Sequence, residues 1–548
     1  MQWKIFRNPV YSKVFWVLVV LYFLFAALMI YRSMVLGPDG HRHFALFDDA
    51  MITMRYAYNL DHGLGLVWNA GQRVEGFSNP LSVFLMAGLM KIFGEIYTVL
   101  AMQVLGLFML AADLWLTYKV TKNLLERNNL YQDSLLFASM LLTMCWYPVM
   151  YWAILGMDTA LLTTLVLWAI YLAVFEKPQT KINWLLAAIL GLTYLARPDS
   201  LLFFVVFFFF RLLLKGKSVK GFLQVTAEGL LVLGVVAGYQ VFRVSYYHQW
   251  LPNTYILKAT GMDLVDRIKN GLGYFSQFLQ RIQLFLMVSI LFLFVFLFDA
   301  SQALRKKLQD LFTGALSYPF MFLVLFGVFT LYQIDVGGDA WPPLWRLTVP
   351  YTVLLFIGFV VIAAYLGKML NLRSDRFAAL FWLVVFSLLV TVPFDYHYDF
   401  IGLKPLGTTF NQDFYNQAWA INQLTDSKAT LAVISAGVIP YYTHRTTIDM
   451  LGKMDPYIAH LPPDLNGPFP IRGMTSISGH NKYDLNYSLK QLQPDIIQHV
   501  ILYSRICRWG QQDLQDWCLQ NYDLVNYHGA QILLKKGSPH VFWDKIKN

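Results

Sequence analysis

The sequence predicts a polytopic α-helical membrane protein of about 11 transmembrane helices, followed by a C-terminal α/β soluble domain. Three observations predict it. Of 548 residues, 57% are hydrophobic and only 14% charged, and mean hydropathy is +0.47. A soluble chain of this length has no core large enough for so much apolar side chain, so lipid must be much of its solvent. Apolar runs near the length of a bilayer span recur up to about position 393 and then stop. Basic residues gather in alternate loops between those runs.

The candidate spans lie at about 13–32, 97–118, 134–155, 159–175, 182–196, 200–214, 222–242, 281–298, 315–333, 347–366 and 377–393. The first, from Phe15 to Ile30, is not followed by a small-residue cleavage site and reads as a retained helix. The runs 182–196 and 200–214 are short for spans. The stretch 81–93, between Pro80 and Gly94, is too short to cross and reads as an interfacial or re-entrant helix. Lys4, Arg7 and Lys13 precede the first span and place the N-terminus in the cytoplasm. Alternation then makes five further loops cytoplasmic, and each is basic. They carry Lys119, Lys122 and Arg127; Lys177 and Lys181; Lys215, Lys217 and Lys220; Arg305, Lys306 and Lys307; Lys368, Arg373 and Arg376. The expected site is therefore a bacterial cytoplasmic (inner) membrane, with residues 1–393 in it and 394–548 as a periplasmic domain. In that domain Thr430–Tyr442, Asp495–Tyr503 and Gln531–Lys535 read as short strands among helical and turn segments.

Composition also narrows the function classes. A net charge of +10 on a soluble chain would suggest nucleic acid, but here the charge is accounted for by orienting loops, so membrane lipid and no nucleic acid is expected. Aromatics at 17% suit a chain with many membrane–water boundaries. Three cysteines exclude a disulfide scaffold and a Cys-type zinc site. Cys145 sits in a span as packing; Cys507 and Cys518 would either pair in an oxidising compartment or stay as two buried thiols. His41 and His43 offer an H-x-H pair without an evident third ligand, so no metal and no cofactor is expected.

The first outer loop, 33–80, is the most informative segment. Asp48 and Asp49 are adjacent carboxylates just past the first span, and Ala50 to Leu60 is helical in propensity, with Arg55, Tyr56 and Asn59 on it. An acidic pair at a membrane boundary is costly unless it is paired, solvated or functional. One carboxylate of such a pair can accept a proton from an attacking hydroxyl while its neighbour or a cation tunes it. The same residues would also serve as a helix N-cap. The remaining outer loops hold Asp158; Arg197 and Asp199; Asn253, Tyr255 and Lys258; and Asp335, Asp339, Trp341 and Arg346. Taken singly they are caps, corners and interface anchors. Together they would stand at one membrane level around the mouth of one bundle. A cavity there suits a lipid-phosphate sugar donor: cations for the phosphodiester, aromatic faces for sugar and prenyl tail, a carboxylate for the acceptor proton.

The segment DDAMITMRYAYNLDHGLGLVWNAGQRVEGFSNPL resembles the first outer loop of bacterial GT-C arabinofuranosyltransferases, the enzymes that cap actinobacterial cell-wall arabinan with terminal β-linked arabinofuranose. The shared pattern runs from the Asp-Asp through Arg55-Tyr56 and Gly63-Leu64-Gly65-Leu66-Val67 to Val74-Glu75-Gly76-Phe77-Ser78-Asn79. It continues through Gly156-Met157-Asp158-Thr159, Arg197-Pro198-Asp199, Leu251-Pro252-Asn253-Thr254, Val336-Gly337-Gly338-Asp339, Asp449-Met450-Leu451-Gly452, Asp455–Ala459 and Gly479-His480-Asn481-Lys482. Position 158 departs, being Glu in many relatives. The resemblance implies a GT-C fold, a decaprenyl- or undecaprenyl-phosphate donor, inverting transfer, and a base at Asp48 or Asp49. Charge and placement nominate Arg55, Arg197, Lys258 and Arg346 for the donor phosphate. Tyr56, Glu75, Asn79, Asp158, Asp199, Asn253, Tyr255, Asp339 and Trp341 are nominated for substrate contact. The acceptor stays open between a cell-wall or other surface glycan and a glycoprotein. Another polyprenyl-phosphate sugar, such as mannose, is the alternative donor. A lipid-linked sugar flippase would need polar residues through the bilayer depth and repeated halves, and the spans are almost free of charge.

Overall fold

The computed structural model describes residues 5–176, 181–298, 304–339, 344–369, 374–395, 397–402, 404–405, 407–465, 476–498 and 512–546. Trp341 and Cys507 lie outside the described residues.

Every apolar run read from the sequence is helical. In chain order the helices are α1 (Pro9–Ser33), α2 (Asp48–Asp61), α3 (Pro80–Arg127), α4 (Asp133–Cys145), α5 (Tyr147–Ile154), α6 (Asp158–Val174), α7 (Trp184–Ala196), α8 (Leu201–Lys215), α9 (Val219–Tyr247), α10 (Asn253–Ala259), α11 (Leu264–Phe298), α12 (Leu304–Phe312), α13 (Ser317–Asp335), α14 (Val349–Met369) and α15 (Ser374–Asp395). Among the described residues, α1, α3, α9, α13 and α14 are each long and apolar enough to cross a bilayer, and α4 with α5, bent by 49°, makes a sixth. α6 and α7 are apolar but shorter. The chain is thus a multi-pass membrane protein. On α1, Val17, Leu21 and Leu24 are exposed, which is the face that lipid would cover.

α14 is the centre of the bundle. Its sequence is apolar on every face and nearly all of it is buried, as expected of a helix surrounded by others. α3 is two helices: the interfacial segment expected at 81–93 ends at Gly94, whose φ of 73° breaks the helix. Only a residue without Cβ adopts that backbone cheaply. Charge does lie within the spanning helices, as at Asp113 on α3 and Glu228 on α9. Asp113 is buried. It faces the bundle interior and accepts a hydrogen bond from the Thr164 hydroxyl at 2.7 Å.

Beyond α15 come the short α16 (His397–Gly402) and then α17 (Thr409–Leu424), β3 (Thr430–Val433), α18 (Val438–Thr443), β4 (Thr446–Asp449), α19 (Pro456–Ala459), β5 (Ile496–Gln498), α20 (Gln512–Asn521), β6 (Tyr522–Tyr527) and β7 (Ala530–Lys535). β1 (Val35–Leu36) and β2 (Arg42–His43) form a small hairpin after α1. The five C-terminal strands make one sheet in the order β4-β3-β5-β7-β6. β3 pairs parallel with β4 and β5, and β7 runs antiparallel between β5 and β6. The central strands are buried on both faces, which is why β3 reads as a continuous apolar run. The expected strand at Thr430–Tyr442 is corrected in its second half: Gly437 begins α18 there. β4 and β6 were not anticipated. Cys518 is a buried thiol among Leu514, Tyr522 and Leu533, and its pairing with Cys507 falls on a residue outside the described ones.

The sheet unit docks on the bundle through α18, which packs on α2. A Cβ on Gly437 would lie 1.9 Å from the Asp48 carbonyl oxygen, so the approach requires glycine.

Candidate active site

The site begins with α2. Phe47 is its N-cap residue and makes no side-chain capping bond, so Asp48 and Asp49 are the first two helical residues rather than caps. The N-terminal end of a helix favours their negative charge. From there the two acids diverge. Asp48 Oδ1 accepts the Val438 backbone N–H at 2.9 Å and is committed to the sheet unit. Asp49, with Ile52 and Thr53 three and four residues on, faces a cavity of about 210 Å³.

Each remaining wall is a loop from the same end of the bundle. Phe77, Ser78 and Asn79 come from the α2–α3 loop, Asp158 from the start of α6, and Arg197 and Asp199 from the α7–α8 corner. Tyr255 and Lys258 come from α10, and Asp339 and Arg346 from the α13–α14 loop. Lys453 and Ser478 come from the sheet unit. The basic loops gather at the other end, where Arg127 donates to the Val174 carbonyl and Lys215 pairs with Glu176.

Among the described residues the cavity is lined by four carboxylates and four cations: Asp49, Asp158, Asp199 and Asp339 against Arg197, Lys258, Arg346 and Lys453. Arg346 grips Asp339 with two bonds (Nε–Oδ2 3.1 Å, Nη2–Oδ1 3.0 Å) and donates Nη1 to Asp49 Oδ2 at 3.2 Å. Lys453 Nζ donates to the other oxygen of Asp49, Oδ1. Arg197 holds Asp199 likewise (Nε–Oδ1 3.1 Å, Nη2–Oδ2 2.7 Å) and reaches Asp158 Oδ2 at 3.3 Å. Such two-pronged pairs fix a guanidinium in orientation. Lys258 differs. Among the described residues no carboxylate lies within 4.0 Å of its Nζ.

Electrostatics follow from this layout. Burial by itself would push Asp49 up, but Lys453, Arg346 and Lys258 hold it well below the usual carboxylate range, so it is ionised. Asp48 is pushed up to about 6, by burial first and also by the charge of Asp49, against the pull of the Val438 N–H. Burial, and then the neighbouring Arg346, bring Lys258 down to about 8. Burial works against Lys453 too, yet its contact with Asp49 raises it. His480 is lowered to about 4 by burial and by the charge of Lys453, and is neutral near pH 7.

Arg55, Tyr56, Glu75 and Asn253 are not among the residues that line the cavity. Arg55 follows Asp49 by six positions, about 120° around the helix, so it faces elsewhere. Its Nε donates to the Trp68 carbonyl at 3.2 Å and its Nη1 to His444 Nδ1 at 2.8 Å. Tyr56 is buried, and its hydroxyl donates to the Val74 carbonyl and accepts the Gly76 N–H. Glu75 is buried under Arg243 (Nε–Oε2 2.6 Å) and the Tyr239 hydroxyl (2.7 Å). Tyr56 and Glu75 pin the 74–79 loop against α2 and α9, while Arg55 ties α2 to Trp68 and His444. Asn253 likewise supports rather than lines: its Nδ2 donates to the Gly452 and Lys453 carbonyls at 2.9 Å each. Asp449 accepts the Leu451 and Met454 N–H groups, so the 449–454 turn is held from both sides with Lys453 at its tip. Lys453 was passed over in the sequence although it stands between two of the matched segments, Asp449–Gly452 and Asp455–Ala459. Tyr332, Thr53 and Ser478 were also not anticipated. Among the described residues there is no group of three or more His, Cys, Asp or Glu placed to share a metal ion.

Comparison with known proteins places the fold. A family model described as a domain of unknown function (DUF8728) matches residues 408–542, the sheet unit that carries Lys453. No curated protein matches the chain in sequence. Among solved structures, ArnT from Cupriavidus metallidurans bound to undecaprenyl phosphate is similar at 10% identity, over 95% of this chain and 98% of that one, with a TM-score of 0.55. The apo state of the same protein is similar at 14% identity, over 81% and 87% of the two chains, with a TM-score of 0.50. The chain therefore shares the fold of ArnT over nearly its whole length.

Proposed function

We propose that this protein is an inverting glycosyltransferase that moves a sugar from a polyprenyl phosphate to an acceptor hydroxyl outside the cytoplasm, with Asp49 as the base. The observation that carries the reading is the cavity itself. It joins one ionised carboxylate to Lys258, Arg346 and Lys453 at the mouth of a membrane bundle. The fold shared with ArnT, solved with undecaprenyl phosphate bound, supports a lipid phosphate as the anion.

The chemistry balances without a further reactant. The acceptor oxygen forms a bond to the anomeric carbon, the bond from that carbon to the phosphate oxygen breaks, and the acceptor proton passes to Asp49. The phosphate goes from monoanion in the diester to dianion in the released monoester. Cations fixed around it stabilise the charge that grows in the transition state. Lys258, Lys453 and Arg346 are the phosphate-binding set. Arg197, tied to Asp158 and Asp199, shapes the sugar side of the pocket. Tyr255 and Phe77 supply the apolar walls for sugar and prenyl tail. D-arabinofuranose is the proposed sugar, on the resemblance of the first outer loop, with mannose or another hexose the alternative.

The experiment is to incubate the purified full chain with a panel of polyprenyl-phosphate sugars and a glycan acceptor, and to measure released polyprenyl phosphate. Asp49→Asn should lower turnover by about 10²–10⁴-fold. Asp48→Asn, whose amide oxygen can still accept the Val438 N–H, should keep most of it. Full turnover in Asp49→Asn, or no release from any donor, would end the reading.

A further inference from the structure

Resting on the reading above, we infer that Asp49 and the donor phosphate compete for Lys453, so that arrival of the phosphate is what uncovers the base.

As it stands, Asp49 is poorly set to take a proton. Both of its oxygens are held by cations, Oδ1 by Lys453 and Oδ2 by Arg346. Among the described residues the cavity sets four carboxylates against four cations. An anion entering it finds only Lys258 without a carboxylate in contact among the described residues. A second cation can reach the phosphate only by leaving an acid it already holds.

The two cations on Asp49 are not equally free to leave. Arg346 is locked in orientation by two bonds to Asp339. Lys453 has one carboxylate contact and a flexible four-carbon stem, and its backbone is anchored by Asn253 and Asp449. The anchor keeps the residue at the cavity while its ammonium can swing. Lys453 is therefore the exchanging partner: in the empty site it neutralises Asp49, and in the loaded site it turns to the phosphate beside Lys258. Asp49 then keeps a single cation and frees an oxygen for the acceptor hydroxyl. The sheet unit supplies this lysine, so the exchange also couples its docking to the activation of a carboxylate on α2.

The test is binding of undecaprenyl phosphate to the purified full-length protein in lipid nanodiscs, for the wild type, Asp49→Asn, Lys453→Met and the double variant. Asn cannot hold the ammonium as an ion pair, so Asp49→Asn should bind the lipid about tenfold more tightly than the wild type while losing transfer. In the Lys453→Met background the same change should tighten binding much less, because the cation it would release is gone. Lys453→Arg, which keeps the charge, should retain the gain and shows that a lost effect is not lost folding. Weaker or unchanged binding by Asp49→Asn would overturn the exchange. So would an equal gain in both backgrounds, which would mean simple repulsion by the carboxylate. In either case a wild type that still binds and transfers leaves the glycosyltransferase reading intact. No binding by any of the proteins would sink that reading and this inference together.

Discussion

Two clusters of buried charge sit at opposite ends of the same bundle, and they are built from the same kinds of residue. At the basic end, Glu176 is held by Arg211 (2.8 Å), Lys215 (2.6 Å) and Gln224 (2.8 Å). Glu228 takes Arg211, Gln224 and the backbone N–H of Asn183. These groups tie α8, α9 and the end of α6 to one another, and none of them lines the cavity. At the other end, Asp49, Arg346, Lys453 and Lys258 line a cavity of about 210 Å³. The difference is not in the charges but in what they face. A cluster closed on protein partners joins helices; a cluster that, among the described residues, keeps Lys258 without an acid in contact, and opens on a cavity, has room for an anion.

This contrast can be broken by substitution at each end. The largest effect belongs to the cavity. Asp49→Asn should lose two to four decades of transfer (about 10²–10⁴-fold) with the unfolding midpoint little changed. Arg211→Met should do the reverse. It strands Glu228, which is fully buried, and should destabilise the protein by about 3–5 kcal/mol in denaturant titration, with turnover per folded molecule preserved. If Arg211→Met instead abolished transfer at full stability, the two clusters would not be functionally distinct.

Lys258→Gln should raise the donor KM by about tenfold or more, since it removes the cation best placed to meet a phosphate. The pH profile sharpens this. With the Lys258 ammonium at about 8, the group is charged below that pH and discharges above it. kcat/KM should therefore fall as pH rises through 8, and Lys258→Arg should hold it up, because a guanidinium stays protonated. A flat profile through pH 9 in the wild type would remove Lys258 from donor binding. The smallest effect on the donor is expected for Arg55→Met. That side chain bonds Trp68 and His444 away from the cavity, so KM should stay within about twofold even where thermal stability drops. A tenfold rise in KM would return Arg55 to the site.

Much of this was legible before any coordinates. Every apolar run is helical, because lipid leaves a chain no other way to satisfy its backbone. The gathering of Asp49, Asp158, Arg197, Lys258, Asp339 and Arg346 in one cavity was legible too, since helices that alternate in direction bring alternate loops to one end. Short β4 and β6 were not legible. Four to six residues with mixed polarity carry too weak a period, and they become strands by pairing with β3 and β7.

Sequence by itself determined which loops share a level and which residues there are charged, because both depend on local composition against a bilayer. Only the tertiary structure decided how those charges are spent. Arg55, Tyr56 and Glu75 belong to the same motif as Asp49, yet packing turns them onto Trp68, Val74 and Arg243, and no local pattern records that choice. Lys453 arrives at Asp49 across 404 positions of chain, on a turn held by Asn253 and Asp449. A partner that distant is set by how the sheet unit docks on α2, and docking is a property of two assembled surfaces rather than of any segment in either.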